Sequence, residues 1–254
     1  MASQSEKHAA FAALHVPGDP VILYNVWDPG SAKAVAEAGA KAIATGSASV
    51  AAANGFTDAE GLPIGLALAN AARIVEAVPL PVTIDFEGAY AVAPEGVAAN
   101  MKRLHATGAI GCNFEDQIVG GEGLHETEAQ TARIRAAREA VGADFFINAR
   151  TDIFLKAKAE THDAAKVEAA IARAKAYAEA GASGFFAPGL ADLALLERLC
   201  AASLLPVNFM AWPGSPTAAE VAKAGIARVS HGPFPHKLAM KALKDAAAAE
   251  YGGA

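Results

Sequence analysis

The sequence has little cysteine, few aromatic residues and no long apolar run, and these shortages exclude several classes of protein. Only Cys112 and Cys200 occur in 254 residues, which gives neither a disulfide framework nor a zinc-binding pattern and favours a reducing compartment. No stretch approaches the ~18 consecutive apolar residues of a membrane span, and the N-terminal segment lacks the apolar core of a secretory signal. We therefore expect a soluble, cytoplasmic protein without a membrane partner.

Basic clusters are also missing from the chain. The net charge is −6, and no run of lysine and arginine alternates with aromatic residues. Nucleic acid is therefore not an expected partner, because phosphate backbones are bound by such clusters. Apolar residues make up 53% of the chain and charged residues 19%, which is enough for a large core, and the abundant alanine suits closely packed amphipathic helices.

Short apolar segments alternate with longer alanine-rich helical patterns along the whole chain. About eight such units, without a linker between them, predict a single (β/α)8-barrel domain of the TIM type over residues 1–254. An open, doubly wound sheet is the alternative, but no GxGxxG motif follows the first strand. The predicted strands are 21–27, 42–46, 81–87, 109–115, 144–150, 184–188, 206–212 and 227–232, and the predicted helices are 31–39, 63–78, 94–107, 127–141, 163–180, 190–202, 217–224 and 233–250.

Polar residues fall at the carboxyl ends of the predicted strands, where barrel enzymes place their active sites. Asp85 and Glu87 are two residues apart and should point to one face, and Glu115 and Arg150 end the strands that follow. Several carboxylates cannot be buried together unless a cation neutralises them. The cluster therefore predicts a hard divalent ion with oxygen ligands and waters, foremost Mg²⁺.

Each of these residues also has a structural alternative when it is taken alone. Arg150 can be the ion-pair partner of Glu115, and Asp58 can be a turn residue. Two glycine-containing loops add to the pattern. The backbone amides of residues 45–49 can hold a carboxylate or form a plain turn, and the loop around residues 120–123 can be a lid over the site or an inert connection.

Three motifs, supported by a fourth, make the chain similar to the isocitrate lyase/phosphoenolpyruvate mutase superfamily over nearly its whole length. They are IDFEGAY (84–90), NFEDQ (113–117) and NARTD (148–152), with TGSASVAAANGFTD (45–58) in support. The resemblance implies Mg²⁺, with Mn²⁺ as a substitute, and small carboxylate substrates, which are α-keto acids or their relatives. It also implies a homodimer or homotetramer in which the last helix, within residues 233–254, packs on a neighbouring subunit.

The resemblance further implies roles for individual residues. Glu87 departs from the aspartate of many members, and a longer side chain can still reach a metal-bound water. His231, which follows strand eight, and His125 are candidate proton carriers by position, although either can be an exposed or capping histidine. The implied roles are Asp85 as direct metal ligand; Glu87, Glu115 and Asp58 as acids around the metal's water shell, with Asp58 and Arg150 also counted as catalytic; and Trp27, Thr45, Gly46, Ser47 and Asn208 as substrate-binding residues.

Departures from the family pattern decide which reaction is expected. The lyases carry a lid with a proton-donating cysteine, whereas residues 117–126 read QIVGGEGLHE, and Met210 and Trp212 replace two lyase serines. The mutase lid and the histidine after strand six are also missing. We therefore expect a Mg²⁺-dependent carbon–carbon lyase or decarboxylase that acts on a small oxaloacetate-like α-keto acid through a metal-stabilised enolate. The alternatives are a phosphonopyruvate hydrolase or mutase, and a keto-acid binding protein without catalysis.

Overall fold

Eight parallel strands form the centre of the computed structural model, which describes residues 2–252. They are β1 (Val21–Leu23), β2 (Ile43–Ala44), β3 (Val82–Asp85), β4 (Gly111–Glu115), β5 (Phe146–Arg150), β6 (Gly184–Phe186), β7 (Val207–Met210) and β8 (Arg228–Ser230). Neighbours along the chain pair in parallel from β2 to β8, and β8 pairs with β1. A parallel bridge between Val26 and Thr45 joins the ends of β1 and β2. The predicted (β/α)8 barrel is confirmed, because an open sheet would leave its first and last strands unpaired.

Helices connect the strands and surround the barrel. All eight predicted helices are present, and α1, α3 and a short 3-10 turn at Ala159–Thr161 are additional. None of the helices within residues 2–252 combines the length and the apolar character needed to cross a bilayer. The helices are α1 (Gln4–Ala13), α2 (Pro29–Glu37), α3 (Ser47–Ala53), α4 (Ile64–Ala77), α5 (Pro94–His105), α6 (Thr127–Val141), α7 (Ala164–Glu179), α8 (Leu193–Ala202), α9 (Ala218–Lys223) and α10 (Phe234–Glu250).

Alternation along the strands separates an apolar outer face from a polar interior. Outward residues such as Ile147 and Phe209 belong to the main core between the strands and the helices. Cys112 belongs to this outer set, as expected from its parity, and its Sγ lies 3.8 Å from the sulfur of Met101 on α5. Burial raises the pKa of its thiol, so Cys112 is an inert core residue. The inward positions include the buried polar residues Thr83, Asn113, Asn148, Asn208 and Arg228.

Helix α1 closes the amino end of the barrel. Its Phe11 is fully buried in a cluster with Leu23, Ile110 and Phe146. The rings of Phe11 and Phe146 meet edge to face with centroids 5.2 Å apart, a favourable aromatic geometry. The Gln4 side chain donates hydrogen bonds to two backbone carbonyls beside β4. With this end closed, the carboxyl ends of the strands remain as the face from which a small molecule can enter.

Helix α10 packs poorly against its own barrel. Only Pro235 of this helix is buried, while Leu238 and Leu243 are 62% and 63% exposed. A groove of about 460 Å³ lies next to the first turns of α10 and is lined in part by Ile22 and Trp212. Ile22 points outward from β1, a position that helices cover in the other strands, but its side chain is 43% exposed. The exchange of this helix between subunits stays a prediction, and residues 253–254 of the predicted C-terminal segment lie outside the described residues.

Candidate active site

A cavity of about 220 Å³ opens at the carboxyl end of the barrel. Its floor carries charged and amide side chains, mostly from β3, β4 and β5, and a further part of its lining is apolar. The floor comprises Asp58, Asp85, Asn113 and Arg150 with Ser47 of α3, and the apolar wall comprises Leu155, Phe186, Pro188 and Met210.

Asp85, the last residue of β3, is held in place by the segment that follows β2. Its carboxylate Oδ2 accepts a hydrogen bond from the backbone N–H of Ser47 at 3.0 Å, and its own N–H donates to the Thr45 hydroxyl at 2.9 Å. The other oxygen, Oδ1, accepts from the side-chain amide of Asn113 at 3.3 Å. Of the three predicted substrate-binding residues in this segment, Gly46 and Ser47 line the cavity, while Thr45 supports Asp85.

Arg150 is fixed by two carboxylates. Its Nη1 forms an ion pair with Glu115 at 2.8 Å, and its Nε and Nη2 donate to the two oxygens of Asp152 at 2.6 and 2.8 Å. Burial works against the charge of Arg150, but the two carboxylates outweigh it and raise its pKa. Burial also raises the pKa of Glu115, against the opposing effect of Arg150. Arg150 is therefore a permanently charged, preorganised group at the cavity floor.

Glu87 does not line the cavity; it shares a small adjoining pocket with Asp85 and connects two loops. Its Oε2 accepts a hydrogen bond from the backbone N–H of Glu60 at 2.6 Å, and Glu60 in turn accepts one from the N–H of Tyr90 at 2.7 Å. The φ angles of these two glutamates and Tyr90, with Ala59 and Ala89, are all between 52° and 62°. Left-handed backbone is costly for non-glycine residues, so strain is concentrated in the two loops beside Asp58.

The acids around the cavity are electrostatically unfavourable as they stand. Burial raises the pKa of Glu87 to about 7, despite its hydrogen bond from Glu60. The pKa of Asp58 is also raised, first by desolvation beside the cavity and then by the charge of Asp85, although the residue remains partly open to solvent. A bound cation would relieve both effects, because it favours ionised carboxylates.

The carboxylates around the cavity suit a partly hydrated metal ion better than an ion enclosed by protein ligands. Within residues 2–252, no three side chains of histidine, cysteine, aspartate or glutamate converge closely enough to enclose an ion. One directly coordinating carboxylate, Asp85, with the other acids reached through water is the arrangement that Mg²⁺ accepts, since Mg²⁺ keeps several of its waters. The side chains therefore fit a partly hydrated divalent cation and not a closed protein cage.

Three further predicted residues lie around the cavity without lining it. The Trp27 ring packs against Val50 and Leu62 and meets the His236 ring at a centroid distance of 4.9 Å. Asn208 lies in the barrel interior and donates to the Ser230 hydroxyl at 3.1 Å. The His231 ring faces the outer groove beside α10. Their roles in substrate binding and proton transfer stay predictions.

Two asparagines that line the cavity, Asn25 and Asn113, were not among the predicted site residues. Asn25, after β1, donates to the carbonyl of Thr45 and accepts from the backbone N–H groups of His231 and Gly232, so it joins the loops of three strands. Asn113 is the hydrogen-bond partner of Asp85. Both are polar residues at strand ends in the sequence, which was the available signal, but an uncharged amide does not by itself indicate metal chemistry.

Comparison with known proteins finds relatives that agree with the family indicated by the sequence motifs. A family model described as phosphoenolpyruvate phosphomutase matches residues 11–250. A crystal structure from Burkholderia cenocepacia J2315, provisionally named a phosphonomutase, superposes with a TM-score of 0.94 at 52% identity, covering 99% of this chain and 100% of the other. An uncharacterized protein of Mycobacterium tuberculosis H37Rv is 33% identical, with 94% and 88% of the two chains covered. The oxaloacetate decarboxylase of Ectopseudomonas mendocina is 29% identical, with 96% and 84% covered.

Proposed function

The chain belongs to the phosphoenolpyruvate phosphomutase family, within the superfamily that its motifs indicated, and we propose that it is a metal-dependent carbon–carbon lyase. Specifically, we propose a decarboxylase that acts on a small oxaloacetate-like α-keto acid. The observation that carries this proposal is the division of the cavity into a floor with Asp85 and Arg150 and an apolar wall. The relative named oxaloacetate decarboxylase supports the same reaction class.

The floor of the cavity can stabilise the negative charge that develops on the keto oxygen of the substrate. A bound Mg²⁺, or Mn²⁺ in its place, would supply Lewis-acid stabilisation of that charge. Asp85 would hold the ion directly, and Asp58, Glu87 and Glu115 would hold its waters. Glu115 and Asp152 occupy three of the five N–H groups of Arg150, which leaves two for substrate oxygens. Because the guanidinium is already oriented, it stabilises the developing enolate without reorganisation.

The apolar wall suits the departure of carbon dioxide. Leu155, Phe186 and Met210 line the same cavity as the charged residues, and the centre of the Phe186 ring lies 6.0 Å from the guanidinium carbon of Arg150. A substrate carboxylate placed against them is poorly solvated, whereas the carbon dioxide that it becomes is neutral and is not penalised there. Electrons of the broken bond pass to the keto acid, whose enolate takes up a proton from solvent. A lyase that releases a carbanion requires a positioned proton donor, and the loop of residues 117–126 has no cysteine for that role.

Phosphorus–carbon chemistry is the second candidate, because the 52% identical relative is provisionally named a phosphonomutase. A substrate panel separates the two. With Mg²⁺ present, we expect pyruvate and carbon dioxide from oxaloacetate, no phosphate from phosphonopyruvate, and negligible cleavage of methylisocitrate. Free Mg²⁺ without protein and the Asp85→Asn variant serve as controls for uncatalysed decarboxylation.

Three outcomes would contradict the proposal. Efficient methylisocitrate cleavage with oxaloacetate left untouched would point to another proton donor, with His125 as the first candidate to mutate. Full activity after exhaustive EDTA treatment would exclude the metal. If the protein binds oxaloacetate but converts no member of the panel, it is a keto-acid binding protein.

We also propose that the enzyme is a cytoplasmic homodimer or homotetramer. Its two cysteines, Cys112 and Cys200, are free thiols, which agrees with a reducing compartment. The exposed leucines of α10 and the groove beside Ile22 agree with burial of this helix on a second copy of the chain.

A further inference from the structure

Arg228 carries its side chain into the barrel interior below the cavity. It is 1% exposed and does not line the cavity, although Asn113 and Ser230 around it do. Its guanidinium lies 5.9 Å from the centre of the Phe11 ring, and in the part of the chain described here it forms no ion pair with any carboxylate. Its Nε and Nη1 have no hydrogen-bond partner among the described residues.

Such an arginine is unfavourable for folding alone. A buried charge destabilises a protein unless it is paired or has a full set of hydrogen bonds. Burial lowers the pKa of Arg228 to about 10, and the charge of Asp85 opposes that shift, so the side chain is still protonated at neutral pH. Arg228 therefore places a positive charge inside the barrel, and the carboxylate whose charge acts on it is that of Asp85, the residue proposed to bind the metal.

The hydrogen bond made by the Arg228 side chain determines how the side-chain amide of Asn113 is oriented. Its Nη2 donates to Oδ1 of Asn113 at 3.2 Å, and the side chain of Asn148 donates to the same oxygen at 2.9 Å. Because arginine can only donate, the oxygen of Asn113 must face Arg228. The amide nitrogen of Asn113 must then face the other way, where it donates to Oδ1 of Asp85 at 3.3 Å.

We propose that Arg228 is a positioning residue of the metal site: it fixes the amide of Asn113, which in turn fixes the carboxylate of Asp85. This inference rests on the proposed function, because Asp85 is the proposed direct ligand. Without Arg228, the remaining donor to this oxygen is the side chain of Asn148, an amide that can rotate together with Asn113 and leave the Asn113 oxygen facing the carboxylate. Two acceptors would then face each other, and Asp85 would turn away from the orientation that binds a cation.

Metal affinity tests this role directly. Titration calorimetry with Mn²⁺ alone is done on the full chain, and each variant is first checked by thermal unfolding in EDTA. We expect Arg228→Met to weaken Mn²⁺ binding by about 10–100-fold, the loss typical when a partner of a metal ligand is removed. Arg228→Lys, which keeps a donor and the charge, should recover part of that loss. Arg138→Met is the matched control, because Arg138 donates to Gly181 and Ser183 at the opposite end of the barrel and should lower stability without changing affinity.

A double-mutant cycle distinguishes action through Asn113 from a general loss of stability. If Arg228 acts through this amide, Arg228→Met should have little further effect on Mn²⁺ affinity in an Asn113→Ala background. An unchanged affinity in Arg228→Met, or an equal loss in both backgrounds, would overturn the inference. If Arg228→Met does not fold, the cycle is done with Arg228→Lys: a loss of affinity that disappears in the Asn113→Ala background supports the role, whereas no loss, or an equal loss in both backgrounds, contradicts it. Failure of the wild type to bind Mn²⁺ is a different result, because it removes the proposed function together with this inference.

Discussion

At the scale of single residues, Arg150 unites two interpretations that the sequence left as alternatives. It is the ion-pair partner of Glu115, and it is also a cavity residue with free N–H groups. The carboxylates hold the guanidinium in one orientation, and that orientation is what makes it useful to a substrate. A structural ion pair and a binding role are therefore compatible at this position.

Replacement of Arg150 tests that binding role. Arg150→Ala should lower kcat for oxaloacetate decarboxylation by about 10²–10³-fold, the usual cost of losing one donor to a developing oxyanion. Arg150→Lys should recover little, because the three N–H groups of lysine radiate from one nitrogen and cannot replace the three bonds to Glu115 and Asp152 and also reach a substrate. Steady-state kinetics measure both. Arg198→Ala is the control, since Arg198 forms an exposed ion pair with Glu168; a fall in rate no larger than that of this control would contradict the role.

The buried acid Glu87 gives a pH prediction for the metal-free protein. Its pKa is raised by burial from 4.5 to about 7, so the folded state retains a proton that the unfolded state loses between these values. The contribution of Glu87 to the free energy of unfolding is therefore greatest below pH 4.5 and is lost as the pH rises through 7. Glu87→Gln, which imitates the protonated form, should lessen that loss by roughly 1–3 kcal/mol.

Urea unfolding in EDTA at pH 5 and pH 8 measures how the free energy of unfolding changes with pH in the wild type and in Glu87→Gln. The exposed substitution Glu197→Gln should keep the wild-type dependence on pH. A Glu87→Gln variant as sensitive to pH as the wild type would show that Glu87 is ionised throughout this range.

How well the residues could be predicted depends on whether they lie inside a strand. Glu115 lies within β4, so its inward direction followed from alternation with period two. Strand β3 ends at Asp85, and Glu87 has a φ of 52°, so the alternation that placed Glu87 beside Asp85 no longer applies. Arg228 carried no signal, because a buried arginine in an apolar strand can be recognised only when its surroundings are known.

At the scale of elements, the eight units of the barrel were predictable and the two extra helices were not. The barrel helices have apolar faces and glycine near their ends, which are strong local signals. Helix α1 buries only Phe11, so its sequence shows hardly any apolar stripe, although Ser3 and Glu6 form a capping box at its start. Helix α3 is seven residues long, too short for a periodic pattern.

Helix α10 gives a prediction about assembly. Its leucines Leu238 and Leu243 are more than 60% exposed, and Leu238 lines the groove beside Ile22. If a second copy covers them, Leu238→Glu with Leu243→Glu should convert the oligomer to monomers at micromolar concentration, because two charges would be buried in the interface. Light scattering measures the mass. Lys241→Ala, which removes an exposed ion pair with Asp245 on the same helix and adds no charge, should leave assembly unchanged, and a wild type that is already monomeric would refute the exchange of this helix.

At the scale of the whole molecule, the acids at one end of the barrel should couple metal binding to stability. A ligand that binds only the folded state raises its stability according to concentration and affinity. Saturating Mg²⁺ at about 100 times its Kd should therefore stabilise the wild type by about 2.7 kcal/mol, seen as a higher Tm by calorimetry. Asp85→Asn should lose most of this shift while keeping a folded metal-free state. An equal rise in Tm for both proteins would place the bound ion elsewhere.

The pairing of β8 with β1 also constrains the order in which the barrel folds. Residues Val21–Leu23 pair with Arg228–Ser230, which lie 207 positions further along the sequence. Phe11 packs against Phe146, which is also distant in sequence. Contacts this distant in sequence form slowly, so one edge of β1 stays exposed until the strands between β1 and β8 have assembled. Closure of the ring is therefore a late step of folding, and the strand that comes first in the barrel is among the last to be paired on both sides.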